Sequence, residues 1–215
     1  MVKTFRRPKD EEELKLREAA GLWNAQALAK DFGESQEKIT IEMILNIHRV
    51  FFQNANPDIA GKFRIEGQDV KKLACMEPPP GRVVTEKMYA FWRDLDLKLS
   101  TLPKRAKSTN KKQKKEWMNE ILSVATWIQY QIAAIHPFCE GNGRMGRIMT
   151  NLILRRYGLQ PSDIKYDGED KARYLDALCQ IDKSGDYEPL KKLIANGMFS
   201  TYKKIYEVVQ KHSQE

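Results

Sequence analysis

The chain has 215 residues, 41% of them apolar and 31% charged, long enough to bury one full core and ordinary in balance for a globular protein. No apolar run approaches the roughly 18–20 residues that a membrane-crossing helix needs, and the N-terminus MVKTFRRPKDEEELK lacks the apolar stretch of a secretory signal. The net charge of +8 is local, because seven Lys/Arg and no acid fall between Lys104 and Lys115; a run of this kind reads as a solvated surface and nucleic acid is not an expected partner.

In chain order, Asp10 to Asp31 is rich in Glu, Leu, Ala and Lys and stops near Gly33, which predicts a first helix. Thr40 to Gln53 predicts a second, with Ile41, Ile44, Leu45, Ile47, Val50 and Phe51 at helical spacing. Asn54 to Gly81 is broken by PDIAG, KFRIEGQDV and EPPPG and has room for a short hairpin at most. Helical spacing returns from Thr85 to Leu99, and Leu102 to Lys115 reads as a surface linker passing into a helix. The longest predicted helix spans Thr109 to Ile135, where Trp117, Ile121, Val124, Ile128, Ile132 and Ile135 form one buried stripe. Arg144 to Tyr157, Glu169 to Lys183 and Asp186 to Val209 complete an almost wholly helical chain without internal repeats. Cys75, Cys139 and Cys179 are odd in number and show no C-x-x-C spacing, so reduced thiols and a cytoplasmic location are expected.

HPFCEGNGRMGR, residues 136 to 147, carries the chemistry. Pro137 disfavours helical geometry at His136 and should end the long helix there, while Gly141 and Gly143 let the chain turn before Arg144 opens the next one. A helix start preceded by glycines aims backbone N–H groups and a positive dipole end at one point, an anion site suited to phosphate. Arg144 and Arg147 share a face above it and Asn151 continues that face. GNGRMG also fits G-x-G-x-x-G, but a dinucleotide site needs a preceding strand, and a Walker A loop needs a Lys-Ser/Thr that is missing here. His136, beside such a cradle, can accept a proton from an incoming hydroxyl near neutral pH, and Glu140 is a candidate Mg²⁺ ligand next to bound phosphates. Base, metal ligand, anion hole and arginines together describe nucleotidyl or phosphoryl transfer.

These residues fill every specified position of H-P-F-x-(D/E)-G-N-G-R-x-x-R, and the chain resembles the Fic family from about Thr40 to Phe199. PDIAGKFR with EPPP is similar to the family's flap-bearing segment; Asn151, GLQP, Tyr174 to Leu178 and SGDYEPL are similar to its later helices. The resemblance implies an all-α Fic-type bundle with a short β-hairpin flap, organised as an N-terminal helical segment (1–39), the Fic domain (40–200) and the end of a C-terminal helix (201–215). It implies a protein adenylyltransferase that moves AMP from ATP, with Mg²⁺, to a Tyr, Thr or Ser hydroxyl of a target protein. His136 would be the base and Glu140 the metal ligand. Gly141, Asn142 and Gly143 would form the anion hole, Arg144 and Arg147 would hold the distal phosphates, and Phe138, Asn151 and Tyr174 would complete the nucleotide site, Phe138 chiefly as a buried anchor. Phe63 to Val70 would be the flap edge on which a target segment lies. The Doc-like branch has a lysine where Gly143 stands, which favours nucleotidyl transfer. Another nucleotide, a phosphocholine donor or a catalytically idle binding module are the alternatives, as is delivery of the protein into another cell.

Many family members carry an inhibitory (S/T)-x-x-x-E-(G/N) helix whose glutamate pairs with the second motif arginine. No segment of this chain fits it; the best alignment, Ala19 to Asn24, puts Trp23 in the glutamate's place. Trp23 is expected to pack onto the core, Arg147 to be available to the γ-phosphate, and any inhibitory glutamate to come from a separate protein.

Overall fold

The computed structural model describes residues 7–68, 70, 75–106, 110–165 and 167–212. Among these residues are seven α-helices: α1 (Glu11–Ser35), α2 (Ile41–Phe52), α3 (Val84–Thr101), α4 (Lys111–Ile135), α5 (Asn142–Arg156), α6 (Gly168–Ser184) and α7 (Glu188–His212). Three of them start by the same device. The side-chain oxygens of Asp10, Thr40 and Asn110 accept backbone N–H groups from Glu13, Met43 and Lys112, satisfying donors that the first turn leaves open.

The antiparallel pair α4 and α5 forms the centre. Ile121, Ala125, Ile128 and Ile132 of α4 and Met145, Met149, Leu152 and Ile153 of α5 are all buried, and Thr150 Oγ1 donates to Gln129 Oε1 at 2.8 Å across the pair. α1 packs on α2 and α5, while α3, α6 and α7 pack on α4. The inward face of α1 is a row of small residues, Gly21, Ala25, Ala29 and Gly33, one per turn. A Cβ added at Gly21 would lie 1.9 Å from Phe51 O, so only glycine permits this approach of α1 to α2.

The same row explains why the expected packing of Trp23 fails. Trp23 stands two residues from Gly21 and Ala25, on the opposite side of the helix, and is 74% exposed. The hairpin flap is also not found, since no strand occurs among the described residues. In the Phe63 to Val70 segment, Asp69 lies outside the described residues; Glu66 and Gly67 form a turn, closed by Gln68 N–H donating to Ile65 O. Most of the positions that a strand returning from this turn would occupy, 69 and 71–74, lie outside the described residues.

The expectation of three reduced thiols is corrected too. Cys75 and Cys179 form a disulfide that ties the loop ahead of α3 to α6, and Cys139 is the free cysteine. Spacing along the chain held no signal for a pair 104 residues apart that only the fold brings together. Closing a loop of that length stabilises a fold by about 4–5 kcal/mol in chain-entropy terms. The inference from cysteine usage to a reducing compartment therefore loses its basis. Among the described residues no helix is long and apolar enough to cross a membrane.

Candidate active site

The catalytic candidates lie on the six-residue turn between α4 and α5 and on the first turns of α5. α4 ends at His136, which adopts a left-handed conformation (φ 50°, ψ 58°) and caps the helix with its backbone N–H on Ile132 O. Pro137 follows, so the chain cannot resume α4. Burial lowers the His136 pKa, and the Arg64 guanidinium nearby acts in the same direction, against the opposing pull of the Ala133 carbonyl and Glu140. The lowered pKa favours the uncharged imidazole, which keeps one ring proton. Its Nδ1 lies 3.3 Å from Ala133 O; a carbonyl only accepts, so Nδ1 carries the proton and Nε2 presents a lone pair. That is the tautomer a general base needs.

Two buried residues hold the rest of the turn. Asn142 folds back on Phe138, with Oδ1 accepting from Phe138 N–H at 2.9 Å and Nδ2 donating to Phe138 O at 2.7 Å. Asn142 thus cross-braces the turn. The Phe138 ring is fully buried and stacks on His48, with centroids 3.8 Å apart and planes 5° from parallel. His48, a residue of α2 that motif reading passed over, accepts from Gly61 N–H on Nδ1 at 3.0 Å and reaches Glu140 O with Nε2 at 3.2 Å. Nδ1 is an acceptor here, so Nε2 bears the hydrogen and the ring is neutral. The signal available in the sequence was a histidine on the apolar face of a helix.

Burial pushes the His48 pKa down from 6.5 to about 4. The folded state resists the proton that the unfolded chain accepts, so this residue's contribution is complete above pH 6.5 and is lost as pH falls towards 4. A shift of that size corresponds to about 3 kcal/mol. Denaturant titrations at pH 7 and pH 4 should show the native chain losing about that much more stability than a His48→Gln variant; equal losses in the two proteins would refute the assignment.

α5 begins without a side-chain cap and with no acid in its first turn. Its opening N–H groups stand beside the positive dipole end of the helix, an arrangement that can bind an anion. Gly141 precedes it at φ 83°, and a Cβ there would strike Phe52 at 2.6 Å. At Gly143 a Cβ would meet only Arg147 Nη1, at 3.8 Å, so the approach to the cradle stays open. Glu140 is 62% exposed at its rim. Mg²⁺ commonly uses one or two carboxylates together with phosphate oxygens and water, and Glu140 suits that role. Among the described residues no group of three or more His, Cys, Asp or Glu is placed to hold a metal ion.

The arginines differ in their surroundings. Arg144 ion-pairs with Glu18 of α1 at 2.6 Å and with Glu140 at 3.5 Å, and its guanidinium sits 4.7 Å from the Phe51 ring centre. An α1 glutamate therefore meets the first motif arginine, where the family's inhibitory glutamate meets the second. Arg147 is half-buried one turn further along α5. Asn151 does not extend the cradle in this structure: its Oδ1 accepts from Ser162 N–H at 2.8 Å and its Nδ2 donates to Ser162 O at 3.3 Å. Tyr174 is buried on α6, which packs on α4 and α7. Cys139 donates from Sγ to Gln68 Oε1, joining the turn to the Phe63 to Gln68 segment.

Comparison with known proteins converges on these elements. The sequence profile of the Fic/DOC family matches residues 38–154. The chain is similar to "Protein adenylyltransferase Fic" of Nematostella vectensis, with 32% identity over 162 residues, 75% of this chain and 33% of the relative. It thus spans about a third of the length of that curated relative. Among solved structures, Fic-1 of C. elegans superposes with a TM-score of 0.67 at 22% identity, over 99% of this chain and 56% of the other. BepC of Bartonella tribocorum, solved with bound AMPPNP, superposes with a TM-score of 0.57 at 18% identity, over 88% of each chain.

Proposed function

The chain belongs to the Fic/DOC family, and on that premise we propose that it is a protein adenylyltransferase, transferring AMP from ATP to a Tyr, Thr or Ser hydroxyl of a target protein. The observation that carries the reading is the pairing, within one turn, of His136, whose Nε2 is left as the acceptor, with the uncapped N-terminus of α5.

In the reaction the target hydroxyl oxygen bonds to the α-phosphorus of ATP and pyrophosphate leaves. His136 Nε2 takes the hydroxyl proton as that bond forms. The first N–H groups of α5 bind the phosphate oxygens, and their fixed dipoles favour the charge that builds there. Arg147 binds the distal phosphates, and Arg144 joins it on release from Glu18. Glu140 would hold Mg²⁺, which when bound supplies charge neutralisation of the phosphates. Two similar proteins support this reading: that of Nematostella vectensis is named a protein adenylyltransferase, and BepC was solved with bound AMPPNP. Gly143, in place of the Doc-like lysine, supports nucleotidyl over phosphoryl transfer.

The target lies along the Phe63 to Val70 segment, which adjoins the turn through Arg64 and Gln68. An inhibitory glutamate against Arg147 would come from a separate protein. The Cys75–Cys179 bond supports work in an oxidising compartment. To test the reading, the chain is incubated with a lysate and ATP, UTP or CDP-choline in parallel, and modified peptides are sequenced by mass spectrometry. AMP on hydroxyl side chains is expected with ATP. Modification only with UTP or CDP-choline would replace the donor, and none with any donor would favour an idle module.

A further inference from the structure

Among the described residues Arg64 is the one Arg or Lys in the buried set, with 2% of its surface exposed. Burial lowers its pKa, an indication that its surroundings tax the charge. Backbone carbonyls receive it. Nε donates to His136 O at 2.7 Å, and Nη2 donates to Pro79 O and, at 3.3 Å, to Ile135 O. The backbone N–H of Arg64 donates to Pro137 O at 2.9 Å. Three consecutive carbonyls of the catalytic turn, Ile135, His136 and Pro137, thus converge on one residue.

Those carbonyls stand at the negative end of α4, whose last turn contains no basic residue. Arg64 brings that cation from another part of the chain. They also flank a peptide under conformational tension, since His136 holds left-handed angles that a side chain disfavours. A planar guanidinium with fixed donor directions is suited to pin such a peptide, because it meets two neighbouring carbonyls at once. Through Pro79 the same side chain also ties in the loop that precedes α3.

We infer that Arg64 is a positioning residue for His136: it fixes the turn that aims Nε2 over the phosphate cradle, and so governs the transfer step without touching the nucleotide. The inference rests on the reaction proposed above. It separates two quantities that a general loss of structure would move together. The phosphate cradle belongs to α5 and is braced by Asn142, whereas the direction of His136 belongs to the end of α4 and to Arg64.

The test uses the full chain as Arg64→Lys and Arg64→Ala. It measures kcat and KM, the Kd for ATP, and amide hydrogen exchange across residues 136–141 and in α4 and α5. Lysine keeps the charge but cannot reach both carbonyls in one plane, so Arg64→Lys is expected to lower kcat about 10- to 100-fold while the ATP Kd stays within about threefold. Arg64→Ala should lower kcat further and regain about tenfold on addition of methylguanidinium, which can occupy the vacated space. Exchange should accelerate at 136–141 and keep its native protection in α4 and α5. If Arg64→Ala fails to fold, Arg64→Lys decides. A kcat for Arg64→Lys within about threefold of native overturns the inference, as does a parallel fall of kcat, ATP affinity and core protection. Should the native chain transfer nothing, the adenylyltransferase reading fails by itself. Arg64 is then judged on exchange and ATP titration: acceleration confined to 136–141 supports it, and unchanged exchange overturns it.

Discussion

A His136→Ala variant is expected to lose AMP transfer by about 10²–10⁴-fold while its affinity for ATP stays within a few-fold of native. In the proposed reaction the imidazole acts on the incoming hydroxyl, and the phosphates are received elsewhere, by the N–H groups of α5 and the motif arginines. Neutrality of the ring is built in by its burial and by Arg64, and the Nδ1 contact with Ala133 O fixes which nitrogen is left as the base. Removal of His136 therefore separates binding from chemistry. Kinetics under saturating ATP, alongside equilibrium titration of ATP, check it. Retained transfer would show that another group takes the proton, and a matching loss of ATP affinity would show that His136 contacts the nucleotide.

The second large effect is expected from a single methyl group. Gly141→Ala places a side chain at φ 83° and drives its Cβ to within 2.6 Å of Phe52 Cε2. Left-handed strain costs about 1–2 kcal/mol and overpacking about 1–3 kcal/mol, so a loss of roughly 2–5 kcal/mol of stability is expected, with the first turn of α5 displaced. Gly67 provides the matched comparison. It has φ 79° and nothing within 4 Å of an added Cβ, so Gly67→Ala carries the backbone cost alone, about 1–2 kcal/mol. Denaturant midpoints and ATP affinity for the two variants give the measurement. Equal destabilisation would mean that the Phe52 contact relaxes freely and that packing does not set the cradle.

The helices were legible because their signals are local. Apolar spacing and the caps Asp10, Thr40 and Asn110 depend on residues within a turn or two of each other, and the predicted spans fall close to the observed ones. The catalytic motif was legible for a related reason, since its twelve residues, 136 to 147, are contiguous and carry distinct chemistry. Long-range relations were not. His48 and Arg64 reach Glu140 and His136 across 92 and 72 positions, and nothing in IHR or KFR says which carbonyl awaits them. The disulfide was hidden for the same reason. Trp23 was misplaced because α1 offers apolar residues on two faces, and only the small-residue row Gly21, Ala25, Ala29 and Gly33 decides which face turns inward. The expected flap hairpin rested on resemblance, and no strand of it occurs among the described residues.

The central claim, that this turn moves an adenylyl group and not a terminal phosphoryl group, is tested most directly by following the phosphorus atom. The chain and a lysate are incubated in parallel with ATP radiolabelled at the α-phosphorus and with ATP radiolabelled at the γ-phosphorus, and proteins are separated under denaturing conditions. Label from the α-position on a protein band, absent with γ-label and absent with His136→Ala, is the predicted result. Transfer of the γ-label in a His136-dependent manner would contradict the account.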